Sequence, residues 1–121
     1  MEKHILVVDD SSSIRDLMTF TLETAGYKVL RGTDGMDALK YFRDTCIDLV
    51  ITDLHMPKLD GIALIKEIRS KPKYQYVPIL VLTTESQSAK KQTAKEAGAT
   101  GWIIKPFERE KLLTAVQKVI R

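Results

Sequence analysis

Leu49-Val50-Ile51-Thr52-Asp53, residues 49–53, is an uninterrupted apolar run that ends on a carboxylate. A run this short, rich in β-branched residues, reads as a fully buried strand with Asp53 at its C-terminal end. The same grammar recurs three times. Ile5-Leu6-Val7-Val8 is closed by Asp9-Asp10, Ile79-Leu80-Val81-Leu82 by Thr83, and Trp102-Ile103-Ile104 by Lys105. In open α/β sheets, the carboxyl ends of the strands are where sites are built.

Between these runs the apolar period changes to that of helices. Ile14, Leu17, Met18, Leu22 and Ala25 recur at three- and four-residue steps, with Ser12 as N-cap and Gly26 as stop. Tyr27 to Leu30 reads as a second strand. Asp34-Gly35 opens a helix with Met36, Leu39 and Phe42 on one face, and Asp60-Gly61 opens another with Ile62, Ile65 and Ile68. Residues 71–76 form a polar connector. A fourth helix, Gln87 to Ala97, is stopped by Gly98 and offers only Ala89, Ala94 and Ala97 for burial, so it should be among the easier elements to shift. A last helix from Glu108 buries Leu112, Val116, Val119 and Ile120. Five strands alternating with five helices imply right-handed crossovers and a parallel sheet covered on both faces.

The composition leaves room for one domain. With 121 residues, 44% hydrophobic and 29% charged, the chain is ordinary globular material able to bury roughly two-thirds of its unfolded surface. The first apolar run is too short for a signal peptide or a membrane span, which points to a cytoplasmic protein. The net charge of +3 is spread along the chain rather than concentrated, and no base-reading motif accompanies it, so direct nucleic-acid binding is not expected. The single cysteine, Cys46, reads as a small buried hydrophobe.

If the first and third strands are neighbours, Asp9, Asp10 and Asp53 share one crevice. Their repulsion favours either a raised pKa or a bound cation; alternatively, some of them cap helices or stay solvated. A hard oxygen set without His or Cys suits Mg²⁺, which recruits phosphate. Lys105 and Thr83, at the same edge, add a cation and a hydroxyl donor, as a phosphoryl group on a carboxylate would need.

Val7-Val8-Asp9-Asp10, Ile51-Thr52-Asp53-Leu54-His55-Met56-Pro57, Asp60-Gly61, Thr83 and Lys105-Pro106-Phe107 together resemble the receiver domain of two-component response regulators, in layout the stand-alone chemotaxis receivers of the CheY kind. The resemblance covers the whole chain, so residues 1–121 are expected to form a single receiver. It implies an α/β, flavodoxin-like, doubly wound five-stranded parallel sheet in the order 2-1-3-4-5. It makes Asp53 the acceptor of a phosphoryl group from the phosphohistidine of a sensor histidine kinase. Asp10, Asp53 and the backbone carbonyl of His55 would hold Mg²⁺, with Asp9 acting through water. Lys105 would pair with the phosphoryl oxygens, Thr83 would move to bond them, and the Lys105-Pro106 peptide would be cis.

Trp102 stands where such domains carry a switch aromatic. The face of the fourth helix, fifth strand and last helix would then meet a downstream protein. Lys90, Lys91, Lys95, Lys111 and Lys118 make that face basic, suiting an acidic partner, although a solvated charged face accounts for the same residues. The resemblance implies a monomer that signals rather than turns over a substrate. Thr84 is bulkier than the residue common after the switch threonine, which would narrow access to Asp53, and His55 is either a side chain that influences phosphoryl lifetime or an exposed loop histidine without effect. A haloacid-dehalogenase-like phosphohydrolase would need an acid where His55 stands, and a flavodoxin would need a hydroxyl-rich phosphate loop in place of Asp9-Asp10. A receiver belonging to a longer regulator is the remaining alternative.

Overall fold

The computed structural model describes residues 2–84 and 88–120. Its elements alternate along the chain: β1 (His4–Val8), α1 (Ser12–Thr24), β2 (Lys28–Gly32), α2 (Gly35–Leu39), β3 (Leu49–Asp53), α3 (Gly61–Arg69), β4 (Ile79–Thr83), α4 (Ser88–Ala97), β5 (Gly101–Ile104) and α5 (Arg109–Val119). All strand pairs are parallel and the order is β2-β1-β3-β4-β5, the doubly wound arrangement expected.

Alternation along each strand divides the core into two layers, because successive side chains leave opposite faces of a sheet. Leu6, Val8, Val50 and Val81 pack with Ala38, Leu64, Ile65, Ile68 and Ala94 from α2, α3 and α4. On the other face Ile5, Val7, Leu49, Ile51, Leu80 and Leu82 pack with Met18 and Leu22 of α1 and Leu112 and Val116 of α5. Every residue of β3 and β4 is buried, as continuous apolar runs in central strands must be.

Several local readings change. Ser11, not Ser12, caps α1: its backbone is extended and its Oγ accepts from the Ile14 amide at 3.3 Å. Leu17 is 50% exposed and Ala25 is exposed, because the stripe of Ile14, Met18, Thr21 and Leu22 is the one turned to the core. β2 begins at Lys28 rather than Tyr27 and runs on to Gly32, since its ladder with β1 continues to Val8. α2 is a single short segment: Met36 faces solvent, while Phe42 lies past its end and is buried edge-on against Tyr74 at 4.9 Å.

Cys46 is exposed, not buried. Tyr74 Oη donates to the neighbouring Thr45 carbonyl at 2.7 Å, and Ile47 takes the buried position instead. In the connector, Pro72–Tyr74 forms a 3₁₀ turn. Gln87, given as the start of the fourth helix, lies outside the described residues; within α4, Ala94 is buried, Ala97 half-buried and Ala89 exposed. In α5, Leu112 and Val116 are buried, whereas Val119 and Ile120 are only partly covered. Gly26 and Gly98 both have positive φ where they stop α1 and α4, a conformation glycine adopts without steric cost. Among the described residues no helix is long and apolar enough to cross a membrane.

Candidate functional site: an acid pocket at the carboxyl edge of the sheet

Parallel pairing of β1 with β3, in register Val8 with Thr52, sets Asp9 and Asp53 side by side as both strands end. Carboxylate oxygens of Asp9, Asp10 and Asp53 lie within 4.8 Å of one another. Asp9 is fully buried, Asp53 nearly so, and Asp10 is exposed. The pocket therefore has a dry floor and one wet side.

Lys105 enters from the end of β5. Its Nζ lies 3.2 Å from Asp53 Oδ2 and 3.4 Å from Asp9 Oδ2. Its own amide donates to the Thr83 carbonyl at 2.7 Å, tying the β5 end to β4, and the Lys105-Pro106 peptide is cis, as the resemblance implied. Asp53 Oδ1 accepts from the Leu54 amide at 2.8 Å, which orients the carboxylate.

Asp9 is braced twice, its Oδ1 accepting from the Ser11 amide at 2.9 Å and its backbone carbonyl from Arg15 Nη1 at 2.5 Å. Among the described residues its Oδ2 is buried without a hydrogen bond and has the Lys105 ion pair alone. Burial chiefly pushes the Asp9 pKa up, and the Asp53 charge adds to this; the Ser11 amide and Lys105 oppose it. Among the described residues one ammonium faces three carboxylates, an excess of acid that a divalent cation would offset. The donors are all oxygens, and a buried carboxylate oxygen without a hydrogen bond has ligating capacity to spare. These residues fit Mg²⁺.

Thr83 is fully buried one residue beyond the Asp53–Leu82 register pair, and its Oγ1 donates to the Thr84 carbonyl at 3.2 Å. His55 is exposed in the loop after β3, and Thr84 is half-buried. Trp102 is away from the acids on β5, 47% exposed, with Lys91 Nζ of α4 at 5.1 Å from its ring centroid. The geometry thus brings together Asp9, Asp10, Asp53 and Lys105, places Thr83 at the adjoining strand end, and leaves Trp102 outside.

The sequence reading missed Ser11 and Arg15, which brace Asp9, and the spatial reason for Gly61. A Cβ on Gly61 would run into the Asp53 carbonyl, and the Gly61 amide bonds the Leu54 carbonyl at 2.9 Å. The Asp60-Gly61 pair was a visible signal for a loop closing tightly on the end of β3. Arg15 had none, since only the placement of α1 turns it back over β1.

Comparison with known proteins accords with this edge. A family model described as "Response regulator receiver domain" matches residues 5–117. The alkaline phosphatase synthesis transcriptional regulatory protein PhoP of Bacillus subtilis is 39% identical over 121 residues, covering 100% of this chain and 50% of PhoP. The chain spans about half the length of the curated relatives it first matches. Chemotaxis response regulator CheY4 of Vibrio cholerae superposes with a TM-score of 0.94 at 42% identity, covering 99% of this chain and 100% of that one. The receiver domain of sensor histidine kinase PA1611 of Pseudomonas aeruginosa, solved with a magnesium ion coordinated in its active-site cleft, superposes with a TM-score of 0.90 at 28% identity, covering 98% of both chains. The family match extends over nearly all of the sheet that carries the acid pocket, and the chain belongs to the response regulator receiver domains of two-component signalling systems.

Proposed function

We propose that residues 1–121 act as one receiver that takes a phosphoryl group from the phosphohistidine of a sensor kinase onto Asp53. The observation that carries this reading is the buried Asp53 carboxylate with Lys105 Nζ at 3.2 Å and two further carboxylates within 4.8 Å. An Asp53 oxygen attacks phosphorus, the P–N bond breaks, and its electron pair stays on the departing imidazole. Lys105 neutralises charge on the phosphoryl oxygens, and the Leu54 amide keeps the nucleophile oriented.

Asp10, Asp53 and the His55 carbonyl are the candidate direct Mg²⁺ ligands, with Asp9 acting through water; the magnesium in the PA1611 receiver supports this assignment. When bound, the ion supplies charge neutralisation between the carboxylates and the incoming phosphoryl group. The domain promotes only its own phosphorylation and its own loss of the group, with His55 and Thr84 at the positions that tune the latter.

Thr83 would then turn to the phosphoryl group and Trp102 would move inward behind it, altering the α4–β5–α5 face. That face carries Lys90, Lys91, Lys95, Lys111 and Lys118 beside grooves of about 560 and 670 Å³ that share Trp102, which suits an acidic protein partner. The likeness to the chemotaxis response regulator CheY4 supports a chemotaxis-type output by protein binding, for which we take the receiver to be monomeric and cytoplasmic. The half-length overlap with PhoP favours a second reading, in which the same switch governs a transcriptional regulator.

Acetyl phosphate with Mg²⁺ should add one phosphoryl mass to the protein and none to Asp53→Asn. Labelling of that variant at an undiminished rate would remove Asp53 as the acceptor.

A further inference from the structure

Trp102 is the chain's single tryptophan and leaves β5 half-exposed, with the Lys91 ammonium of α4 at 5.1 Å from its ring centroid. That separation is within the range in which a cation is held by an indole face. The two residues stand on different elements, so the contact bridges α4 to the edge strand. α4 is lightly anchored: among its described side chains Ala94 is the one fully buried hydrophobic residue, and Lys91 itself is half-buried.

We propose that Lys91 is a positioning residue for the switch, holding Trp102 in its outward, resting orientation. The inference rests on Trp102 being the switch aromatic. An inward turn of the indole must abandon the ammonium, so the contact is present in the resting arrangement alone. An interaction made in one of two arrangements shifts their ratio by its whole strength. For an exposed cation–π pair the shift is about two- to fivefold.

The neighbouring lysine separates this effect from general basicity. Lys90 carries the same charge on the same helix, and among the described residues no ring contact involves it. Lys91→Met keeps most of the aliphatic stem and removes the cation, and Lys91→Arg keeps a cation that also stacks on indole.

The test is a titration of the Mg²⁺-saturated protein with beryllofluoride, read by acrylamide quenching of Trp102. Lys91→Met should lower the beryllofluoride midpoint about two- to fivefold and make Trp102 less accessible before any is added. Lys91→Arg should match the parent, and Lys90→Met should not move the midpoint. Equal midpoints for Lys91→Met and the parent, with Trp102 still becoming shielded in both, would overturn the proposal. Equal shifts in Lys90→Met and Lys91→Met would reduce it to net charge and overturn it too. If Trp102 of the parent stays equally accessible once Asp53 is occupied, the switch reading itself fails and takes this inference with it.

Discussion

Lys105 Nζ stands 3.2 Å from Asp53 Oδ2, although the two side chains leave strands separated by the whole width of β4. The lysine spans the gap along the carboxyl edge of the sheet and is only about one-quarter exposed. A fixed, partly desolvated cation at that place is suited to charge that would develop on a phosphoryl group at Asp53. Lys105→Met should slow labelling by acetyl phosphate about 100-fold, the usual cost of removing one such donor, while Mg²⁺ binding measured by calorimetry is retained or strengthened. Labelling at the parent rate would show that the lysine has no part in transfer.

Burial of the Asp9 carboxylate weakens the fold at neutral pH. Its folded pKa is raised above 3.8, chiefly by burial, so its charged form is disfavoured in the native state. The native protein therefore binds this proton more tightly than the unfolded chain does. The resulting stability is present below pH 3.8 and is lost as pH rises through the folded value. Without Mg²⁺ at pH 7, Asp9→Asn should melt at a higher temperature than the parent, and the gap should narrow as pH falls toward 4. Calorimetric melts across that range check the sign.

The same substitution should weaken Mg²⁺ binding, by about 10- to 100-fold for a group that acts through an intervening water. Asp10→Ala should weaken it further. Calorimetric titration of the two variants with Mg²⁺ gives the order, and a smaller effect for Asp10→Ala would reverse the proposed assignment of direct and water-mediated ligands.

Gly61 lets the loop after β3 return against the backbone of Asp53 and Leu54. A methyl group there has backbone, not a flexible side chain, in its way. Gly61→Ala should cost about 1–3 kcal/mol in urea unfolding, in the range of an overpacked site. If Asp53 is the acceptor as proposed, it should also slow phosphorylation, because the displaced atoms are the backbone of Asp53.

Arg69 fastens the far end of α4. Its Nε and Nη2 donate to the Gly98 carbonyl at 3.1 and 2.7 Å, and its Nη1 to the Val77 carbonyl at 2.6 Å. Burial lowers its pKa, yet arginine stays charged at any working pH. Arg69→Met should destabilise the fold by about 1.5–3 kcal/mol, as loss of hydrogen bonds from a charged donor does. Hydrogen exchange should quicken first around residues 94–99, with α1 and β1 unchanged.

Residue order alone determined the alternation of elements and the chemistry at their ends. Short β-branched runs and three-to-four-residue apolar spacing are local patterns, and a polar residue closing each run is visible without coordinates. Capping and burial depended instead on how each element met its neighbours. Ser11 and Ser12 are chemically alike, and the φ, ψ at which α1 starts made Ser11 the cap. Leu17 fits the helical spacing, yet the angle of α1 on the sheet left it in solvent; Cys46 lost its buried place to the adjacent Ile47.

The adjacent Asp9 and Asp10 carry the same side chain, but the backbone takes one into the buried floor and the other to water. Lys91 and Trp102, eleven positions apart, met only because the turn after α4 folds the edge strand back alongside it. Such pairings are non-local. They follow from strand register and helix packing, which depend on all of the buried side chains at once rather than on any single stretch of the sequence.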